Sequence, residues 1–266
     1  MKRLIACLEV AVLAGTLAGC SGTNDASEFS ESSAYESEGI ATVIQSFEET
    51  ESSESESAIQ NETEAEVLPD SIVIDRVSYS VGDAYTFGNY GEGDISWIIL
   101  DIDGDNVMLL SEYAIENKKF NEELVETSWE DCSVRSWLNS EFIDSAFTEE
   151  ERATILDTDV LSSANYEYGT QCGKDTVDKV FLLSLDEFET LVPEEYRCCP
   201  VTDYAWRNNV CRYNPNDCCD WFLRTPGTSG KMVVYVTYNG GAYEPGCDVT
   251  FSVRGLRPAM WISIAD

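Results

Sequence analysis

Trp97-Ile98-Ile99-Leu100-Asp101-Ile102-Asp103-Gly104-Asp105-Asn106-Val107-Met108-Leu109-Leu110 reads as two apolar strands folded on the turn Asp103-Gly104-Asp105, a β-hairpin signal. Working outward, Thr127-Ser128-Trp129-Glu130-Asp131 is a helix start with acids where the helix dipole favours them. Val134, Trp137, Leu138 and Phe142 then share one helical face. Thr148 with Glu151 and Ser184 with Glu187 have capping-box spacing and open two further short helices. Val180-Phe181-Leu182-Leu183 between them is a short buried strand. Residues 192–220 are rich in Cys, Pro, Asn and Asp and read as loop. Strands follow at Trp221 to Arg224, Met232 to Tyr238, Ala242 onward and Arg257 to Ile264, with Asn239-Gly240-Gly241 as a hairpin turn. Helices in the first half and strands at both ends predict an α+β domain of short antiparallel strands with two or three short helices. Trp137, Trp221 and Trp261 interrupt or end apolar blocks and are expected in the core. Arg135, Arg224 and Arg257 sit inside such blocks, so each is expected to be buried and paired with a carboxylate.

The flanks of that domain differ in kind. Residues 21–70 hold fourteen Asp and Glu, eleven Ser and no Lys or Arg. Such a segment buries too little apolar surface to offset its ordering entropy, and its like charges extend it. Ahead of it, Lys2 and Arg3 precede the mostly apolar run Leu4 to Leu17, which is too short for a permanent transmembrane helix. Leu17-Ala18-Gly19-Cys20 closes that run and resembles the bacterial lipobox. The resemblance implies cleavage after residue 19, lipidation of Cys20, and an extracytoplasmic chain anchored to the cell membrane by its N-terminal lipid. The expected organisation is a signal peptide over 1–19, a lipidated cysteine and disordered acidic linker over 20–70, and one globular domain over 71–266.

The whole chain carries 50 Asp and Glu against 16 Lys and Arg, with no His. This sign repels nucleic acid, which is therefore excluded as a partner. The missing histidines remove Ser-His-Asp and Cys-His catalysis and the commonest zinc ligand.

Four ordered blocks carry a family resemblance: Trp129-Glu130-Asp131-Cys132-Ser133-Val134-Arg135-Ser136-Trp137-Leu138-Asn139, then Asp175 to Ser184, Trp221-Phe222-Leu223-Arg224-Thr225-Pro226-Gly227, and Leu256-Arg257-Pro258-Ala259-Met260-Trp261-Ile262. In this order they resemble a widespread bacterial domain family catalogued as a domain of unknown function, with the likeness running from about Val81 to Ile264. The last two blocks also look like the ends of the C-type-lectin-like group, which includes formylglycine-generating enzymes. That likeness implies paired terminal strands and a loop-rich ligand face, as fold-level analogy only.

Eight cysteines fall in the domain, five of them between residues 198 and 219. In an exported chain they read as disulfides of unassigned pairing. No Cys-x-x-Cys spacing supports a metal site, and no cofactor is implied. Asp101, Asp103, Asp105 and Glu112 approach an EF-hand spacing, but Asn106 stands where the glycine belongs, so a hairpin turn is the better reading. The remaining signal is aromatic and amide-rich: Tyr204, Trp206, Asn216, Tyr238 and Tyr243 lie in or at the edge of segments 192–220 and 239–247, which lack regular periodicity, and are the expected ligand-binding residues. The expected function is a non-enzymatic, surface-exposed recognition domain binding glycan or protein ligands at the cell envelope. A cell-envelope enzyme related to formylglycine-generating enzymes and a purely structural envelope protein are the alternatives.

Overall fold

The computed structural model describes residues 71–265 except Asp75, Asn214 and Pro215. The signal peptide, Cys20 and the acidic linker over 20–70 lie outside the described residues. Two five-stranded sheets organise the rest. The first runs in the order Ala84–Tyr90, Gly93–Asp103, Asn106–Ser111, Ala259–Ser263, Val180–Phe181, antiparallel throughout. The expected hairpin is its centre, with Asp103 paired to Asn106 across the two-residue loop Gly104-Asp105. Gly104 adopts φ +61. A positive φ at the first central position alone is the type II′ arrangement, whose twist matches the flanking strands. The strand Ala84–Tyr90 was no part of the sequence-based expectation.

The second sheet runs Ala242–Asp248, Met232–Val236, Trp221–Pro226, Gly255–Leu256, Glu116–Asn117, with one parallel pairing, Trp221 to Gly255. The chain crosses between sheets through Arg257-Pro258, so the strands on either side of that step belong to different sheets. The strand expected from Arg257 to Ile264 forms over Ala259–Ser263, starting after Pro258, which has no amide to donate to a ladder.

The helices lie where expected but are short. Ser133–Trp137, a π-turn at Leu138–Phe142 and Ile143–Ala146 follow without a break, and Val134, Trp137, Leu138 and Phe142 are all buried. Both capping boxes form: Thr148 opens Glu149–Thr154 and Ser184 opens Leu185–Leu191. Residues 192–220 are not all loop. They hold the helices Glu194–Arg197 and Asp203–Arg207 and a two-rung ribbon of Cys199–Pro200 against Cys218–Cys219.

The four sequence blocks meet as structural ties. Asp178, 3% exposed, accepts hydrogen bonds from Trp129 Nε1 (2.9 Å), Arg135 Nε (2.7 Å) and Thr176 Oγ1 (2.6 Å). Asn139 accepts from the Lys179 and Val180 amides and donates to the Val180 carbonyl, fixing helix to strand. Arg224 grips Glu187 through both terminal nitrogens, so one carboxylate serves the capping box and a buried ion pair together. Arg135 and Arg224 thus have the expected carboxylates. Arg257 does not: it is 1% exposed and donates to the Ser111 and Tyr196 carbonyls instead. Trp137 and Trp221 are core residues as expected, whereas Trp261 is only half-buried. It shares the outward parity of its strand with Ser263, and a strand's alternate side chains face opposite sides.

Candidate ligand-binding surface

The second sheet carries an aromatic row on its outer side. Tyr235 and Tyr243 are direct cross-strand partners, with ring centroids 5.2 Å apart. The Arg254 guanidinium lies 3.7 Å from the Tyr235 centroid and 4.4 Å from that of Phe251. Such cation–π contacts hold rings at fixed orientation. Arg254 also approaches Asp220 at 3.6 Å. The other Asp220 oxygen accepts the Tyr238 amide at 2.9 Å. Tyr238 in turn stacks on Tyr213, at 4.7 Å between centroids and 26° between planes. Beside Tyr213, the Arg212 guanidinium sits 4.8 Å over the Trp206 ring and pairs with Asp203 at 2.8 Å.

Contacts therefore join Tyr213 to Tyr243 through Tyr238, Asp220, Arg254 and Tyr235, and Arg212, next to Tyr213 in sequence, carries the array on to Trp206. Its outer members are well exposed: Trp206 at 52%, Tyr238 at 43%, Tyr243 at 45% and Phe251 at 43%. Rings this exposed gain little from burial; arginines hold Trp206 and Phe251, and neighbouring tyrosine rings hold Tyr238 and Tyr243. The array offers flat apolar faces with the Asp203 and Asp220 carboxylates among them.

Of the five residues expected at the site, Trp206, Tyr238 and Tyr243 belong to this array. Asn216 is exposed in the turn before Cys218. Tyr204 is half-buried and lies elsewhere. Its ring covers Gly91, where a Cβ would fall 2.6 Å from Tyr204 Cγ, and it meets Tyr90 edge-on at 5.6 Å. Tyr204 and Trp206 stand two positions apart on the helix Asp203–Arg207, so their side chains diverge by about 200°. Loop reasoning gave both the same exposure, and the helix separates them. Tyr243 sits in the strand Ala242–Asp248, where a strand was expected from Ala242 onward, and not in an irregular segment.

Phe251, Arg254 and Asp220 were missed altogether. For Tyr235 a signal existed, since period-2 alternation along Met232–Val236 places it opposite Val234 and Val236. For Arg254 none existed, because its role depends on the Tyr235 ring and the Asp220 carboxylate, both distant in sequence, as well as on Phe251.

Behind Tyr204 lies a second feature, a cleft of about 350 Å³ lined by Tyr90, Ser96, Ser111, Tyr113, Thr202 and Asp203, among others. Tyr90 donates to Glu116 at 2.7 Å. Burial, then the Glu116 contact, pushes the Tyr90 phenol far above its usual range, so it remains a donor at any physiological pH. Among the described residues no three His, Cys, Asp or Glu side chains converge to hold a metal ion.

A family model described as a domain of unknown function (DUF6273) matches residues 104–264. It begins in the turn of the first hairpin, later than the expected start near Val81. No curated protein and no solved structure matches the chain.

Proposed function

This chain belongs to the DUF6273 family, and we propose that it is a membrane-anchored recognition domain whose aromatic face binds glycan. The observation that carries this reading is the array from Trp206 to Tyr243, in which Trp206 and Phe251 lie against Arg212 and Arg254, Tyr238 stacks on Tyr213, and Tyr243 rests on the Arg254-held Tyr235. Flat ring faces suit the apolar faces of sugars, and the Asp203 and Asp220 carboxylates among them suit their hydroxyls. Clamping matters because a preorganised ring loses less entropy on binding. A lipid on Cys20 and the acidic segment over 20–70 would display this face away from the membrane.

The C-type-lectin-like reading of the fold is part of the same proposal. Supporting it are the return of the last strand, Ala259–Ser263, to pair with Asn106–Ser111, and the gathering of the aromatic face from the long stretch 203–254 between them. The test is a glycan array followed by calorimetry on the best ligand, comparing the parent chain with Tyr238→Ala/Tyr243→Ala. Loss of a few kcal/mol, as for central contact residues, supports the reading. Equal binding by the double variant contradicts it. Binding to envelope proteins with no glycan response would make the face a protein-docking surface.

A further inference from the structure

Cys199 and Cys219 are direct cross-strand partners in the two-rung ribbon, and both are fully buried. Each thiol influences the ionisation of the other, and the Cys199 Sγ also donates to the Pro200 carbonyl at 3.5 Å. Directly opposed residues of an antiparallel pair have Cα atoms about 4.5 or 5.5 Å apart, inside the usual disulfide range of about 4.4–6.8 Å. The next cysteines along, Cys198 and Cys218, already form a disulfide across the same ribbon, with Cα atoms 5.8 Å apart.

The surroundings of the inner pair are unusual. Arg257 is buried, makes no ion pair among the described residues, and bonds only to the Ser111 and Tyr196 carbonyls. It rests over the Trp221 ring at 4.9 Å, and its charge acts on both sulfurs. The Glu112 carboxylate acts on this guanidinium only from beyond ion-pair distance and opposes ionisation of Cys199, so negative charge placed nearer to Arg257 would offset more of its burial cost. Gly255 closes the other side, where a Cβ would fall 2.8 Å from Cys219 Sγ, so the chain leaves room for that sulfur.

We propose that Cys199 and Cys219 are a dithiol–disulfide couple, with the Cys199 thiolate as the counter-ion of Arg257 in the reduced state. Burial opposes ionisation of Cys199, but the Cys219 thiol and the Arg257 charge outweigh it, and its pKa falls below the ordinary thiol value. Burial and the Cys199 neighbour push Cys219 well up, so it keeps its proton. One thiolate beside one thiol is the arrangement for exchange. With a small-molecule disulfide such as oxidised glutathione, Cys199 attacks one sulfur, the glutathione S–S bond breaks, and one glutathione leaves as thiolate. Cys219 then gives its proton to solvent, attacks the Cys199 sulfur and expels the second glutathione. Two protein thiols are oxidised and one disulfide is reduced to two thiols. Access requires the short ribbon to open locally. Asp220 follows Cys219 directly and anchors both Tyr238 and Arg254, so the couple sets the stiffness of the ribbon beneath the aromatic face. The inference rests on the ribbon and Arg257, not on the glycan reading.

The test equilibrates the full chain in graded glutathione mixtures, quenches in acid, alkylates with iodoacetamide and maps the peptides. No protease separates Cys198 from Cys199, so Cys198→Ser/Cys218→Ser isolates the inner pair. The peptides bearing Cys199 and Cys219 should become joined in one two-electron transition. Removing the positive charge with Arg257→Met destabilises the thiolate, so the transition should move on the order of tenfold toward lower oxidant, and Arg257→Lys should move it back. Separate alkylation of both cysteines at every ratio, or a midpoint indifferent to Arg257→Met, overturns the proposal. Should the double serine variant fail to fold, the parent chain decides. Oxidation must then remove two thiols beyond Cys198 and Cys218, and a loss that persists in Cys219→Ser is equally fatal.

Discussion

Replacing Asp178 by Asn keeps the volume and removes the charge at the point where two sequence blocks meet. Asp178 accepts from Trp129, Arg135 and Thr176, and it is almost wholly buried. Asn retains one acceptor oxygen, so its amide nitrogen must face at least one of these donors. An unsatisfied buried donor costs about 1–3 kcal/mol. Breaking a buried pair costs about 3–5 kcal/mol, and the Arg135 side chain is 26% exposed, which places the pair at the low end. A loss of about 3 kcal/mol results, equivalent to about 6–12 °C in Tm for a domain of this size. Urea unfolding followed by tryptophan fluorescence measures it directly. Arg135→Met in a double-mutant cycle isolates the ion pair, and its coupling to Asp178→Asn should exceed about 0.5 kcal/mol. A total cost below about 1 kcal/mol would refute the view that Asp178 ties the helix to the sheet.

Trp221→Ala should cost about 3–5 kcal/mol as a buried aromatic, while half-buried Trp261→Ala should cost under about 2 kcal/mol, both read by chemical denaturation. Burial first of all pushes the Cys132 thiol up to about 12 and the Cys247 thiol up to about 11. Raised values favour the neutral thiol, so their stabilisation is complete below about pH 8.5 and is lost as pH rises through those values. Iodoacetamide at pH 8 should accordingly modify Cys172 before either, as peptide mapping would record. Cys20→Ala should move the protein from the membrane fraction to the medium, and unchanged retention with lipid labelling would contradict the anchor.

Local patterns were the most legible part of the sequence. The hairpin around Gly104 and both capping boxes involve residues within a few positions of one another, so spacing alone announces them. Arg135 and Arg224 were legible as paired ions because they interrupt apolar blocks, though Arg135 is only half-buried and their partners, Asp178 and Glu187, lie 43 and 37 residues away. Arg257 has the same local signature and a different partner set, since burial is a local signal and pairing is not. The Cys198–Cys218 disulfide depends on the register of two strands of two residues each, which no periodicity can report. Trp206, Tyr238 and Tyr243 were found through the mismatch between large rings and irregular segments. Tyr204 shared that mismatch, but a single helical turn directs it into the Tyr90 cluster.

The most direct test of the aromatic face is an NMR titration of the chain with the best-binding oligosaccharide, following ring and indole resonances residue by residue. Of the six tryptophans only Trp206 is exposed, while Trp97, Trp129 and Trp221 are fully buried. The account predicts saturable shifts at Trp206, Tyr213, Tyr238 and Tyr243 and none at the three buried indoles. Shifts confined to Tyr90, Tyr113 and the cleft beside them, or no shifts at all, would contradict it.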